Sequence, residues 1–464
     1  MRLKVPAALD PVFYPMSVIC REFRDGAGLS GQDIAIGIER FDGFTSVYRT
    51  RIYPDGSGRG EENYRFAERI IKSLLWVYGG HKIIIAGGGE VGERIKREYS
   101  PGGKRDFDVR LMSRVYERPF TVEIRPVSGA PEAHESAVSV GRNLDGCRIG
   151  FDAGGSDRKV SAVIDGEAVF SEEVVWFPKT NSDPDYHRAE ILSAFKTAAS
   201  RMPRVDAIGV SSAGIYINNR VSAASLFIKV SEDDFEKKVR DIFIDCANEI
   251  GPVPLEVAND GDVTALAGAM DLDDDCVLGV AMGTSQAGGY VDSQGNITGW
   301  LNELAFVPCD FNAGAAIDDW SGDYGTGVNY FSQDAVIRLA SAAGIEIENS
   351  LSPADKLKVV QNLMRERDCR AAKIYETIGV YFGYAVAYYA EFYDIKHVLV
   401  MGRVTSGDGG TILIGKANEV LEREFPELRK KITLHIPDES SRRIGQSVAA
   451  ASLPKTGGRN EFKA

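Results

Sequence analysis

The segment RIGFDAGGSDRKVSAVIDGE, residues 148–167, decides how the rest of the chain is read. Two apolar runs, RIGF and KVSAVI, flank an acidic, glycine-rich turn, so one strand ends in Asp152-Ala-Gly-Gly-Ser and the next begins at once. Gly154 and Gly155 let the backbone come close to a phosphate and, with Ser156, offer it N–H and hydroxyl donors. Asp152 is placed to orient water on Mg2+. Taken alone, the same residues read equally well as an ordinary hairpin turn.

Outward from this segment the pattern is regular. Residues 147–155, 159–166 and 167–177 read as three consecutive strands, followed by a helix over 186–202, a buried strand over 205–215, a capped helix over 231–251, a strand over 253–260 and a small-residue helix over 261–270. After Asp275 the order begins again: strand 276–285, glycine turn, strand 287–297, three helices over 332–343, 353–366 and 371–393, the strand 397–402, a helix over 411–425, the strand 431–437 and a last helix near 442–453. The chain thus reads as two copies of a three-strand hairpin followed by α/β units, with two mixed sheets, helices on their faces and a cleft between. A Gly/Ala/Pro/Ser-rich stretch over 125–146 reads as a linker, giving an N-terminal α+β segment (1–145), a first lobe (146–270) and a second lobe (271–464).

The second hairpin carries MGTSQAGG, residues 282–289, where Gly283, Thr284 and Ser285 offer donors to the other side of a polyphosphate. Between the two turns lies VAND, with Asn259 and Asp260 at a strand end. Asp260 can take a proton from a hydroxyl that attacks a γ-phosphoryl group, and the same pair suits a helix cap. Gly402, after HVLVM, opens a turn against which a base and ribose can lie, and it serves a plain helix start as well.

In this order and spacing the motifs over about 147–453 resemble the sugar-kinase, actin and heat-shock-chaperone ATPase superfamily, and within it the ROK family of bacterial sugar kinases and repressors. The resemblance implies an α/β, duplicated actin-like ATPase (ribonuclease H-like) fold. FDAGGS is similar to the first phosphate motif, EVAND to the strand bearing the catalytic aspartate, MGTSQAGG to the second phosphate motif and VLVMG to the adenosine strand. GWLNELAF is similar to the sugar-binding stretch, which implies that Glu303, with Asn259, orients a sugar hydroxyl. It also implies ATP and Mg2+ as cofactors and allows a homodimer. The departures are specific. DWSGDYGTGV keeps Gly322 and Gly325 but lacks the cysteines of the family's zinc loop, so no zinc is expected. Phe306 and Val328 stand where a histidine and a glutamate contact the hexose, and Lys159 stands two places late. The reading is ATP-dependent phosphoryl transfer to a sugar or small polyol. A non-catalytic nucleotide- or sugar-binding regulatory relative is the alternative.

Bulk properties bound the partners. The 464 residues exceed one ordinary core, and 44% apolar with 26% charged residues is ordinary globular composition. A net charge of −13, with residues 1–145 about balanced and the rest acidic, argues against nucleic acid and anionic membranes as partners. The six scattered cysteines form no C-x-x-C pair and read as reduced thiols of a cytoplasmic protein. No apolar run approaches the roughly 18 residues of a membrane span, and Asp10 and two prolines interrupt the start. In the N-terminal segment, AGGGEVG (86–92) between a strand and a helix reads as mostly structural, within a pattern that echoes the later strand–turn–strand order. The aromatic run 375–394 reads as helix packing or a subunit contact.

Overall fold

Strand and helix periods alternate along the chain, and the computed structural model, which describes residues 3–135, 140–437 and 439–456 (of 439–444 the backbone only), folds them into two units. One comprises Ala137–Gly279, Gly289–Thr298 and Pro437–Ala464. The other comprises Met1–Ser136, Val280–Gly288 and Gly299–Ile436. The N-terminal segment therefore shares a unit with most of the second half.

In the first of these units, strands β5 (Cys147–Ala153), β6 (Asp157–Ile164) and β7 (Glu167–Val175) form an antiparallel meander. β8 (Ala207–Ser212) and β11 (Leu255–Asn259) add to it in parallel, giving the order β11-β8-β5-β6-β7. One face packs on α5 (Pro184–Ala199) and α7 (Ile242–Ile250) through a core that includes Phe151, Ile208, Phe195 and Phe243. The other face receives α8 (Asp260–Leu272) and α14 (Glu439–Ala451), so the last helix returns to the first sheet. That return needs glycine. Gly150 and Gly209 are register partners, and a Cβ on either would stand 1.9 Å from the Ser447 carbonyl oxygen or 1.7 Å from that of Ala450. Arg148, fully buried, donates to the carbonyls of Ala451 and Pro454 at the end of α14.

Between β8 and β11 lie the short hairpin β9 (Ile215–Ile217) and β10 (Arg220–Ala223) and the short α6 (Glu232–Asp234). The single helix expected over 231–251 is broken here into α6, a wider π turn (Phe235–Val239) and α7. The Arg240 carbonyl accepts from Val221 N–H of β10 at 2.9 Å, which takes it out of the helical ladder.

In the other unit, β1 (Gln32–Glu39), β2 (Thr45–Ile52), β3 (Lys82–Ala86) and β4 (Thr121–Arg125) form a sheet in the order β2-β1-β3-β4, with α1 (Met16–Ala27), α2 (Gly60–Tyr78), α3 (Gly89–Glu98) and α4 (Asp106–Tyr116). The echo of the later pattern does not extend to topology: β3 pairs with β1 antiparallel, whereas β8 pairs with β5 parallel. A second sheet has the order β13-β12-β14-β15, from β12 (Val277–Met282), β13 (Gln286–Val291), β14 (His397–Met401) and β15 (Thr433–His435), of which residues 277–279 and 289–291 are counted with the first unit. The expected third strand of this repeat does not form. The Asp292 carboxylate accepts from the N–H groups of Gln294 and Asn296, and the resulting turn leaves only a bridge between Val291 and Ile297.

Helices α9 (Gln333–Ala342), α10 (Pro353–Arg365), α11 (Cys369–Tyr389), α12 (Asp408–Glu424) and α13 (Pro426–Arg429) complete this unit. The tyrosines of α11 are buried packing: Tyr381 donates to Asp10, Tyr384 to Glu424, and the Tyr388 and Ser73 hydroxyls share a hydrogen bond. No described helix is long and apolar enough to cross a membrane.

Candidate active site

Parallel pairing sets the ends of β5, β8 and β11 side by side, because Asp152 is in register with Ser211, and Ser212 with Asn259. Ligands of open α/β sheets bind at such carboxyl ends. The Asp152 carboxylate is buried. It accepts from the Ser211 hydroxyl at 3.1 Å and from Gln446 Nε2 of α14 at 3.5 Å, with Lys159 Nζ 3.9 Å away. Burial pushes its pKa up from the ordinary 3.8 to about 6; Lys159 opposes this and the charge of Asp260 adds to it.

Asp260 opens α8, and its Oδ1 accepts from Gly261 N–H at 3.0 Å. Among the described residues Oδ2 has no hydrogen-bond partner. Burial raises its pKa, while the Gly261 N–H, its own N–H and then Lys179 pull it down. Asn259 is largely committed: its Oδ1 caps α8 through Gly261 N–H and its Nδ2 donates to Gly214 O, both at 2.7 Å. One amide N–H is left to meet a ligand.

The turn after β5 is braced from β7. Trp176 Nε1 donates to Gly154 O at 2.7 Å, and Trp176 N–H to Ser156 O at 3.2 Å. A Cβ on Gly155 would stand 2.8 Å from Lys179 Cε, so that side chain lies across the turn and brings an ammonium to it. The sequence reading missed Lys179 and Gln446. Lys179 is 24 residues beyond Gly155 and Gln446 is 294 beyond Asp152, so no local pattern joins them.

In the other unit, Gly283, Thr284 and Ser285 form the turn between β12 and β13, where Thr284 and Ser285 are exposed. Gly402, at φ +105, lies on the end of β12: a Cβ there would stand 2.3 Å from Met282 O. This closeness lets Arg403 Nη2 donate to Thr284 Oγ1 at 2.7 Å, so the turn between β12 and β13 and the turn after β14 are neighbours and share a cation. Beyond Gly402, Gly407 and Asp408 start α12 at a cavity of about 130 Å3 that Tyr375 also lines.

Glu303 is half-buried and occupies the N-cap position of the 3-10 turn Leu304–Phe306, its side chain making no cap bond there. The N-terminal segment holds this stretch. The N–H groups of Leu301, Asn302 and Glu303 donate to the carbonyls of Tyr78, Val77 and Trp76 at the end of α2. These are carbonyls that a helix terminus leaves unpaired. Phe306 packs against Trp76 with ring centroids 4.1 Å apart, and against Phe107 and Trp320.

No protein-family model matches the sequence, and no curated protein matches it. Solved structures do. A ROK-family transcriptional regulator, described as a homologue of the E. coli MLC protein, superposes with a TM-score of 0.52 at 17% identity, over 67% of this chain and 79% of the other. A ROK hexokinase from Thermus thermophilus gives 0.51 at 17% identity, over 66% of this chain and 97% of the other. The chain has the ROK fold. The ROK fold is α/β with mixed sheets, as the motifs implied, and here the carboxyl ends of one sheet carry Asp152, Asn259 and Asp260. Both a kinase and a regulator share it.

Proposed function

We propose that the chain is a ROK-family kinase that moves the γ-phosphoryl group of ATP to a hydroxyl of a sugar or related polyol. The observation that carries this reading is a pair of carboxylates at the carboxyl edge of one sheet, Asp152, buried, on β5 and Asp260, half-buried, after β11, with β8 between them and a glycine turn crossed by Lys179 after β5. Asp260 is the general base. Its raised pKa strengthens it toward a hydroxyl proton, and Oδ2, the oxygen that Gly261 N–H does not engage, is the atom that takes the proton as the hydroxyl attacks. Gly154, Gly155 and Ser156 offer donors to phosphate oxygens, and Lys179 offers charge. In the other unit Gly283, Thr284 and Ser285, with Arg403, supply donors of the same kind, and Gly402 the surface for adenosine.

Asp152 fits a hydrated Mg2+: Ser211 and Gln446 both occupy Oδ1, and Lys159 approaches Oδ2 at only 3.9 Å. When bound, magnesium supplies neutralisation of phosphate charge. The remaining N–H of Asn259 is offered to the acceptor, and Glu303 is the sugar contact that the resemblance implies. The test is acceptor-dependent consumption of Mg-ATP across a panel of hexoses, amino sugars and polyols. The expected result is turnover with at least one, and ATP stable in the presence of all of them rules the reading out.

A regulatory reading has its own observation. Phe306, at the place of a sugar-binding histidine, is buried among Trp76, Phe107 and Trp320, and a regulator shares the fold. Nucleotide or sugar binding without acceptor-dependent turnover would select it.

A further inference from the structure

Helix α14 lies on the first sheet without slack. Its Ser447 and Ala450 carbonyl oxygens stand 1.9 and 1.7 Å from where a Cβ on Gly150 or Gly209 would be, and the Ser447 hydroxyl shares a 2.8 Å hydrogen bond with that of Ser161 on β6. Arg148 ties down the end of the helix. Seated in this way, α14 brings Gln446, 294 residues beyond Asp152, to the carboxyl ends of β5 and β8.

Three polar groups meet there. Gln446 Nε2 is 3.2 Å from Ser211 Oγ and 3.5 Å from Asp152 Oδ1, and Ser211 Oγ is 3.1 Å from the same Oδ1. An ionised carboxylate only accepts, so the end of the amide turned to this cluster is its NH2 group. A hydroxyl has a single proton to give. With the amide donating to the Ser211 oxygen, that proton goes to Asp152, and Ser211 is fully buried, so water does not compete for it. The two donors form a relay that ends on Oδ1. Among the described residues Oδ2 has only Lys159 Nζ, at 3.9 Å. Because a carboxylate is planar, holding one of its oxygens aims the other, and hydrogen bonds of this kind are what orient a carboxylate toward a metal.

We propose that Gln446 is a positioning residue, which holds the Ser211 hydroxyl on Asp152 Oδ1 and thereby keeps Oδ2 turned to the hydrated magnesium of Mg-ATP. The magnesium rests on the kinase reading; the relay does not. The last helix thus becomes part of the site. A chain with every motif of the first sheet in place but without a donor at residue 446 binds nucleotide and holds magnesium poorly.

The experiment uses the full chain, its Gln446→Met, Gln446→Leu and Ser211→Ala variants, and the Gln446→Met/Ser211→Ala double variant. Methionine keeps the length of glutamine and removes its donors. ATP is titrated by calorimetry in excess Mg2+ and again in EDTA, and thermal unfolding is run on each protein without nucleotide. The expected result is that Gln446→Met and Gln446→Leu weaken ATP binding about tenfold in Mg2+ and less than twofold in EDTA, with the unfolding temperature unchanged. Because Gln446 acts through Ser211, Ser211→Ala shows a similar loss, and the double variant loses no more than the larger single loss. Losses at Gln446 that are equal in Mg2+ and EDTA make the residue packing only and overturn the proposal. Losses that add in the double variant separate Gln446 from Ser211 and overturn it too, as does an unaltered affinity in Mg2+. In those three cases a wild type whose ATP binding is tightened by Mg2+ leaves the kinase reading standing. A wild type that binds no ATP, or binds it no better with Mg2+ than without, overturns the magnesium site of the kinase reading and the proposal with it.

Discussion

Two sets of carboxylates, one in each unit, are treated in opposite ways. In the unit that contains the N-terminal segment, Asp323 meets Arg69, Arg105 and Lys72, Glu68 meets Arg69 and Arg105, and Asp108 meets Lys72 and the Trp76 indole N–H. Three anions face three cations, and the assembly ties α2 and α4 to the turn that carries Trp320. In the other unit, Asp152 has one lysine at 3.9 Å, and Asp260 has no cation within ion-pair distance among the described residues. The matched set behaves as a fastening. The unmatched pair also keeps raised pKa values, a shift that Asp108 of the matched set shares, so what sets Asp152 and Asp260 apart is the lack of matching cations.

The contrast can be broken or sharpened by substitution. The largest effect is expected from Asp323→Ala, which strands Arg69 and Arg105 in the interior and should cost about 3–5 kcal/mol in urea unfolding; a loss below about 1 kcal/mol would mean the network is not a fastening. Asp152→Asn should do the reverse in protein free of nucleotide and metal. The Asp152 carboxyl sits near pH 6 when folded against an ordinary 3.8, so the neutral amide should gain about 2–3 kcal/mol at pH 7. The sign follows from linkage. Between about pH 4 and 6 the folded chain holds a proton that the unfolded chain has released, so this group's share of wild-type stability falls as pH rises through that window. Asp152→Asn should lose that slope, and an unchanged slope would show the carboxyl is not perturbed. The smallest effect is expected at Arg403. Arg403→Gln keeps a donor for Thr284 and removes a charge, and should weaken ATP binding by roughly 5–10-fold in calorimetry, as the loss of one charged hydrogen bond implies. No change would detach Arg403 from the phosphate turn.

How much the sequence disclosed tracks how local each feature is. The strand ends at Asp152 and Asn259-Asp260, the turn at Gly283 and the opening at Gly402 are each spelled out within a few residues, and all fall at the ends of strands. Features made by distant segments did not show. Gln446 and Lys179 join the Asp152 turn only through folding. The hold of α2 on 301–303 uses backbone carbonyls, which leave no mark in residue type. The helix over 231–251 had the right period and broke because strand β10 claims the Arg240 carbonyl. Of the 125–146 stretch read as a linker, residues 136–139 lie outside the described residues.

The central claim is that Asp260 accepts the proton of the attacking hydroxyl. Its most direct test is single-turnover transfer from labelled Mg-ATP, with an acceptor the wild type uses, in wild type and Asp260→Asn, alongside nucleotide Kd by calorimetry. The account predicts a transfer rate lower by roughly 100-fold or more with Kd within about twofold. An Asp260→Asn protein that transfers at the wild-type rate would contradict it.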